Sequence, residues 1–202
     1  RLETARLQID IHAAQQTQIF RESETSASVT SHAMDAALNL DEWHQPASPY
    51  AMNKEAMLKS FDNLVRMRGY GEEQTRLQKQ ALLSSFHGDI VNRLIEKNDP
   101  QQARAYLESY AGEIQPKQAE GLNRLVDLAN LKNDSSALSQ SLIAADGKPQ
   151  EALVSLAALA DNGKISPDLY EATRERIDYQ QKLQEDKAAQ EKESIKNKAY
   201  AW

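Results

Sequence analysis

The sequence of 202 residues contains no cysteine, only 7 glycines and 6 prolines, and its aromatic content is 6%. Without cysteine the chain has no disulfide framework, no thiolate metal site and no cysteine nucleophile. Glycine and proline are too scarce for an all-β chain with many tight turns. No apolar run approaches the roughly 18 residues that a membrane-spanning helix needs. Among the remaining classes, the composition favours a helical protein.

An excess of basic residues is also lacking, since 24 Lys and Arg stand against 30 Asp and Glu, for a formal net charge of −6. Tight non-specific binding of nucleic acid usually depends on a basic face that releases counterions. We therefore expect the chain not to hold DNA tightly, although folding could still create a local basic patch. The residues that are abundant, such as Ala, Leu, Gln, Glu and Lys, are good helix formers.

Residues 1–45 predict one long N-terminal helix. Leu7, Ile11 and Ala14 recur at helical spacing, although residues 7–11 also alternate with the period of a short strand. Ser and Thr are frequent from residue 23 to residue 31, which weakens a helix and predicts a break or kink there. Because the chain begins at Arg1 rather than Met and carries no apolar signal segment, we expect it to be part of a longer protein.

Residues 46–177 predict a bundle of short amphipathic helices. The prolines at 46 and 49 mark a loop, and Asn53 is a good N-cap for the next helix. Residues 69–71, Gly-Tyr-Gly, predict a turn before a helix over residues 72–97. Gly88 lies inside that helix and would let a neighbour approach closely.

Helix boundaries are marked most clearly where a proline follows a capping residue or a glycine. Proline fits the first position of a helix because its missing N–H needs no partner there. Asn133-Asp134-Ser135 predicts a further break. The predicted helix starts are Asp99-Pro100, Pro116, Pro149 and Ser166-Pro167.

Residues 178–202 predict a charged C-terminal helical arm on which apolar residues become rare. A helix that is polar on nearly all faces either projects into solvent or packs against another chain along a narrow stripe. The predicted fold class is therefore all-α: a bundle of short amphipathic helices flanked by longer helices at both ends.

No set of residues predicts a catalytic centre. The four histidines, His12, His32, His44 and His87, have no familiar zinc-ligand spacing. Asp41 and Glu42 lie close to His44, but we favour a helix end with a solvated His and a packed Trp43 over a metal or acid–base site. We predict no catalytic, cofactor-binding or metal-binding residue, no cofactor and no enzyme activity. The alternative that stays open here is an enzyme segment with an unrecognised pair of catalytic carboxylates.

Four tyrosines lie at helical spacing on partly apolar faces. Base stacking would need basic residues interleaved with them, and these are sparse. Core or subunit packing is therefore the predicted use of Tyr106, Tyr110, Tyr170 and Tyr179.

Two segments resemble a known family. Residues 98–108 read NDPQQARAYLE, and residues 160–170 read ADNGKISPDLY and lead into a charged helix. The order of elements resembles that of the large helical proteins that tailed phages carry in the virion and eject with their DNA. In this order, a long amphipathic helix is followed by a D-P-x-x-A-x-x-Y-L motif and then by a G-x-I-S motif. The resemblance covers roughly residues 55–202.

The resemblance implies a structural role. Such proteins are stored in the virion, leave with the genome and assemble into a tube across the periplasm of the infected bacterium. It implies a homo-oligomeric ring or tube, contacts with other virion proteins and with the portal, and passage of genomic DNA without specific binding. The transglycosylase domain that some members carry is not matched, because Glu22-Ser23 and Glu108-Ser109 lack its Gly-rich continuation.

A helical-repeat adaptor is the alternative function. Residues 98–108 also resemble a tetratricopeptide helix, in which a small residue and a Tyr pack between repeats. The chain shows no clean repeat of about 34 residues, so this pattern fits less well.

Overall fold

The computed structural model describes residues 2–40 and 42–200, with side chains from 11 to 40 and from 42 to 197. Within these residues the chain is all-α, with seven α-helices, one short 3₁₀ turn at Ala111–Glu113 and no strand. No described helix is both long and apolar enough to cross a membrane. The helices are α1 (Leu2–Leu38), α2 (Pro49–Arg68), α3 (Glu72–Glu96), α4 (Pro100–Ser109), α5 (Pro116–Asp146), α6 (Pro149–Asp161) and α7 (Pro167–Tyr200).

The chain divides into two compact units, of which the first comprises Arg1–Lys97 and Ala103–Leu122. In this unit α1 packs along α2, and α3 contacts both α1 and the 3₁₀ turn. Apolar side chains recur on α2 and α3 at three- and four-residue steps, so each helix buries one face. The buried side chains of these two helices include Met57, Phe61, Leu64, Phe86, Ile90, Val91 and Leu94.

The N-terminal helix continues through the Ser/Thr-rich stretch, so the predicted break near residues 23–31 is wrong. Thr25 donates its hydroxyl hydrogen bond to the carbonyl of Arg21, one turn earlier in the same helix. The hydroxyls of Ser28 and Ser60 lie 3.1 Å apart and join α1 to α2. These side chains thus bond within the helix or to its neighbour instead of competing with the helical backbone. Residues 7–11 are helical, so a strand there is excluded.

The second helix begins earlier than predicted, at Pro49, and its N-cap is Ser48 rather than Asn53. The Ser48 hydroxyl accepts a hydrogen bond from the backbone N–H of Ala51 over 3.2 Å. Proline at the first helical position has no N–H to satisfy, so Ser48 and Pro49 together form a complete start signal. Gly69 ends the helix with a φ of 64°, a left-handed conformation in which glycine costs least.

Gly88 provides a close approach, as predicted. A Cβ atom at this position would lie 2.9 Å from Nε2 of Gln118. That nitrogen donates a hydrogen bond to the carbonyl of Ser84, and the Ser84 hydroxyl accepts one from the backbone N–H of Gln115. The start of α5 is thus fixed against α3 by polar contacts that need the space beside Gly88.

The second unit comprises Asn98–Gln102 and Asn123–Trp202. Its core is formed by α5, α6 and α7, with Ala152, Leu156 and Ile177 fully buried. The second half of α7 carries charged and polar side chains that are exposed from Glu191 to Asn197. Partly buried apolar side chains complete the core: Leu138, Leu142, Ile143, Leu153, Ile165 and Tyr170.

The predicted break at residues 133–135 is wrong, because α5 is continuous from Pro116 to Asp146. Ser135 is buried and donates to the carbonyl of Lys132 over 3.1 Å. Its hydroxyl also accepts a hydrogen bond from Nε of Arg176 on α7 over 2.8 Å. A residue that often caps helices therefore links two helices here.

The helix starts predicted from prolines are confirmed, since α4, α5, α6 and α7 each begin at a proline. Asp99 accepts a hydrogen bond from the backbone N–H of Gln102 at the start of α4. Ser166 accepts one from the backbone N–H of Leu169 at the start of α7. Each side-chain oxygen satisfies one of the N–H groups that the first turn of a helix leaves without a partner.

Candidate functional site

Five polar side chains of the first unit form one continuous hydrogen-bonded series, which we call the polar chain: Tyr50, Tyr106, His87, Glu113 and Lys54. The two tyrosine oxygens lie 2.7 Å apart. Nδ1 of His87 lies 2.7 Å from the Tyr106 oxygen, and its Nε2 lies 3.1 Å from Oε2 of Glu113. Lys54 donates to both Glu113 oxygens, over 2.8 and 3.0 Å.

The chemistry of these groups fixes the direction of every hydrogen bond. An ionised carboxylate can only accept, so Nε2 of a neutral His87 must carry the proton and donate to Glu113. Nδ1 must then accept, which makes Tyr106 the donor to His87. Tyr50 in turn donates to Tyr106. Every buried polar atom in this series therefore has a partner.

Four structural elements contribute to the polar chain. Tyr50 and Lys54 lie one turn apart on α2, His87 lies on α3, Tyr106 lies on α4, and Glu113 ends the 3₁₀ turn. Hydrogen bonds between side chains that are distant in sequence hold these elements in one arrangement. Buried polar networks with all partners present specify a unique packing more strictly than apolar contacts do.

Aromatic rings enclose the polar chain. The Tyr110 ring stacks on His87 with ring centroids 4.6 Å apart, and Nζ of Lys54 lies 4.3 Å from the Tyr110 centroid. Trp43 meets the Tyr106 ring edge-on at 5.1 Å. The Phe86 ring stacks on Tyr50 at 6.1 Å. A cation above a ring and offset or edge-on rings are favourable geometries, so this envelope stabilises the charge of Lys54.

Burial controls the protonation of the polar chain. His87 has no exposed side-chain surface, and burial lowers its pKa to about 4, with the Lys54 charge acting in the same direction and Glu113 against it. Burial also raises the pKa of Tyr50 and of Tyr106 well above the ordinary value. For Glu113, burial raises the pKa, but the hydrogen bonds from Lys54 and His87 outweigh it and leave a lowered pKa.

The polar chain is consequently one anion–cation pair joined to three neutral groups at neutral pH. Tyr50 and Tyr106 are held as phenols, and His87 is held as a neutral imidazole. The donors and acceptors of these groups are used in hydrogen bonds within the series, which is typical of a structural network. Below about pH 4, charging of His87 would turn Nδ1 into a donor and so change the hydrogen-bonding direction of the series.

The spacing of the histidines does not single out His87, although the sequence carries another signal for it. It lies three, four and seven residues before Ile90, Val91 and Leu94, all of which are buried on α3. A histidine on an apolar helical face needs a polar partner when it is buried. The sequence does not indicate which partners these are, because Tyr106 and Glu113 follow 19 and 26 residues later.

The other residues considered in the sequence do not converge on one site. Side chains of His12 and His44 are exposed, and His32 is half-buried with no hydrogen-bond partner at Nδ1. Asp41, considered together with His44, lies outside the described residues. Across the described part of the chain, no group of three or more His, Asp or Glu residues is arranged to hold a metal ion.

The four tyrosines have separate uses. Tyr106 is fully buried, Tyr110 is half-buried in the aromatic envelope, and Tyr170 packs on the core of the second unit. These three confirm the packing role predicted for them. Tyr179 differs, because 62% of its surface is exposed.

Tyr179 lies at a groove between α5 and α7 in the second unit, which we call the α5/α7 groove. The groove has a volume of about 750 Å³. Its apolar walls include Leu128, Leu131, Ile143 and Tyr179, and its charged lining residues are Lys132, Glu175 and Arg176.

Comparisons with models of protein families, with curated proteins and with solved structures found no match. The class that the structure itself defines is an all-α protein with two helical units, one centred on the polar chain and one carrying the α5/α7 groove.

Proposed function

We propose that the protein is a structural component of a phage DNA-ejection apparatus. It is stored in the virion and then assembles, as a homo-oligomer with other ejection proteins, into a ring or tube in the bacterial cell envelope. Genomic DNA passes through this assembly without being bound specifically. The protein acts mechanically and not as an enzyme.

The observation that carries the proposal is the position of the two family-like segments on the helices. Residues 98–108 span the capped start of α4, and residues 160–170 span the end of α6 and the capped start of α7. The long helices that precede and follow these segments in the family correspond to α3 and α7. The helical layout therefore agrees with the order of elements that the resemblance implies.

The absence of cysteine and the local encoding of helix starts agree with this role. A protein that leaves the virion through a narrow portal must cross it without covalent cross-links. Helices that are bounded by their own capping residues re-form rapidly, because local contacts form faster than distant ones.

Electron microscopy of ejecting particles tests the proposal. The protein would carry an affinity tag, and gold-labelled antibody would be applied before and after ejection is triggered. We expect label inside intact virions and then along a tube at the host envelope. A segment that is absent from virions, or that stays in the empty capsid, would contradict the proposed function.

Binding of duplex DNA is a second measurement. With a net charge of −6, the chain should bind a duplex more weakly than micromolar at physiological salt. Fluorescence anisotropy with a labelled duplex measures this directly. Submicromolar affinity would contradict an assembly through which DNA passes without being bound.

The α5/α7 groove favours a helical adaptor as the second candidate function. Half-apolar grooves between helices are the surfaces on which adaptors bind peptide partners. Helices α4 to α7 have 10, 31, 13 and 34 residues, which differs from the near-equal helix pairs of a tetratricopeptide repeat. A stable monomer that captures a peptide and is absent from virions would favour the adaptor.

A further inference from the structure

The α5/α7 groove has the dimensions of a docking site for one helix. Along α5 its lining runs from Leu128 to Ala144, which is about 24 Å at 1.5 Å per residue. Leu128 and Tyr179 each leave 62% of their surface exposed. Apolar side chains thus line both ends of the groove, and polar side chains lie between them: Ser135, Ser136, Ser139 and Gln140. A groove of this composition suits an amphipathic helix that carries both apolar and polar side chains.

The groove also presents two cationic side chains to an incoming helix, Lys132 and Arg176, beside one acidic side chain, Glu175. Arg176 is half-buried and donates from Nε to Ser135 and from Nη2 to the carbonyl of Lys132, which are both neutral acceptors. Among the described ion pairs, neither Arg176 nor Lys132 is joined to a carboxylate. A guanidinium has five N–H donors, so Arg176 retains donors for an acidic side chain.

The outer face of α6 has the complementary composition. Glu151, Val154, Ala158 and Asp161 are spaced by three, four and three residues, which places them on one side of the helix. All four are exposed, and Val154 leaves 72% of its surface uncovered. Two apolar side chains are therefore flanked by an acid at either end.

Of the two acids on this face, only Asp161 is not explained by the stability of α6, because Glu151 lies in the first turn, where a negative charge is favourable with the helix dipole. Glu151 pairs with Lys148 only at 3.8 Å, with both side chains exposed, and such a pair contributes little. Asp161 is the last residue of α6, where a negative charge opposes the helix dipole. An external cationic partner would account for the position of Asp161.

We propose that α6 of one copy of this chain docks, through its outer face, into the α5/α7 groove of a second copy. The 13 residues of α6 span about 20 Å, which fits the length of the groove. Val154 and Ala158 cover the apolar walls, while Glu151 and Asp161 meet the basic side chains Lys132 and Arg176.

The two surfaces are distinct, since no residue of α6 lines the groove. Each copy therefore offers one donor face and one acceptor groove, and the contact is head-to-tail. Contacts of this kind generate closed rings when the rotation closes and filaments when it does not. The inference rests on the proposed function only in requiring self-association, and it assigns that association to a defined interface.

Sedimentation velocity of the 202-residue chain over a wide concentration range tests the interface. Leu128→Glu places a carboxylate in the groove, and Val154→Glu places one on the donor face. Both sites are exposed, so circular dichroism should show an unchanged fold. We expect each variant to weaken self-association at least about tenfold, because a charge would be buried in an apolar contact.

Mixing the two variants distinguishes a head-to-tail contact from a symmetric one. The Leu128→Glu chain keeps an intact α6 face, and the Val154→Glu chain keeps an intact groove. We expect the mixture to form a dimer of one copy of each that grows no further. A symmetric interface would not be restored by mixing, and that result would overturn the proposal.

Matched controls come from the same unit. Leu125→Glu changes an exposed leucine of α5 that does not line the groove, and Ile195→Glu changes an exposed residue of α7. Both should associate like the unaltered chain. If either control weakened self-association as much as Leu128→Glu does, the effect would come from the added charge alone, and the proposed interface would be wrong.

Self-association that neither variant weakens would overturn this interface while leaving the proposed function intact. An unaltered chain that stays monomeric at every concentration would overturn the interface and would also count against the homo-oligomer of the proposed function. Absence of the gold label from both virion and tube in the electron micrographs would instead contradict the proposed function and leave the interface unaffected.

Discussion

The Tyr106 hydroxyl donates to Nδ1 of His87 over 2.7 Å, and both side chains are fully buried. Neither group can reach water, so each depends on the other for its hydrogen bond. A change at one residue leaves a polar atom of the other without a partner, which costs more than the net gain of forming the bond. The stability of the first unit should therefore respond strongly to small chemical changes in the polar chain.

Acid should destabilise the protein through His87. Its pKa is lowered to about 4 in the folded state, whereas the ordinary value is 6.5. Between these two pH values the unfolded state binds more protons than the folded state, so the free energy of unfolding falls as the pH falls from about 6.5 to about 4. Below about pH 4 this histidine causes no further loss of stability. The loss amounts to roughly 3 kcal/mol over the whole interval. Urea unfolding, followed by circular dichroism at several pH values, measures it.

The interval between pH 5 and 6.5 isolates this effect. Glu113 has a lowered pKa, so its contribution is lost only as the pH falls below its ordinary value of 4.5. Tyr106, whose pKa is raised by burial, stays neutral throughout this interval. In a His87→Gln variant the dependence across this interval should disappear. If the slope persists in that variant, His87 is not its source.

Tyr106→Phe should destabilise the first unit by about 1–3 kcal/mol, because the hydroxyl of Tyr50 and Nδ1 of His87 both lose a partner. Tyr179→Phe removes an exposed hydroxyl and should change stability by less than about 0.5 kcal/mol. Thermal and chemical unfolding of both variants measure the difference. Equal effects would mean that the buried hydroxyl contributes nothing specific.

The pair of Lys54 and Glu113 should show measurable coupling. Their side chains are 14% and 38% exposed, so the pair is partly shielded from solvent. Removing one partner, by Lys54→Met or Glu113→Gln, should cost about 1–2 kcal/mol, less than for a fully buried pair. The double variant should be about 1 kcal/mol more stable than the sum of the single effects predicts.

An exposed pair provides the comparison for this double-mutant cycle. Glu55 and Lys59 lie four residues apart on α2 with side chains 67% and 73% exposed. Their coupling should be close to zero, because both side chains are largely exposed and solvent and salt screen the two charges. A coupling of the same size for Lys54 and Glu113 would show that burial has not strengthened that interaction.

Two helical glycines should respond differently to alanine. Gly121→Ala meets no atom within 4 Å and should stabilise the protein by about 0.5–1 kcal/mol, since alanine favours the helix. Gly88→Ala gains the same propensity but displaces the Gln118 amide, which lies 2.9 Å from the new Cβ and bonds to Ser84. We expect a net change near zero. Equal gains at both positions would mean that the Gln118 contact adds no stability.

The helix starts at Pro100, Pro149 and Pro167 were predictable from sequence because a proline and its neighbours act locally. A capping oxygen needs only the N–H groups of the next turn, and a proline restricts only its own surroundings. The same local reasoning failed at Ser135, where the hydroxyl bonds to Arg176, 41 residues away. Tertiary contacts there outweighed the local preference.

The polar chain could not be assembled from sequence for the same reason. The helical stripe that contains His87 predicts a buried face but not which polar groups oppose it. Glu113 lies in a 3₁₀ turn whose position depends on how α4 packs, and Lys54 is one of many lysines on helix surfaces. The sequence supplied the types of side chain, and the packing of α2, α3 and α4 selected the partners.

The fixed donor order of the polar chain offers a way to follow the motion of the first unit. The hydroxyl protons of Tyr50 and Tyr106 are each held between two buried heavy atoms, and the Nε2 proton of His87 is held between a buried nitrogen and the partly exposed carboxylate of Glu113. Such protons exchange with solvent only when the surrounding structure opens. Because all three belong to one series, we expect them to exchange together. The rate at which their signals disappear from a proton NMR spectrum in heavy water would measure how fast this unit opens, without any added label.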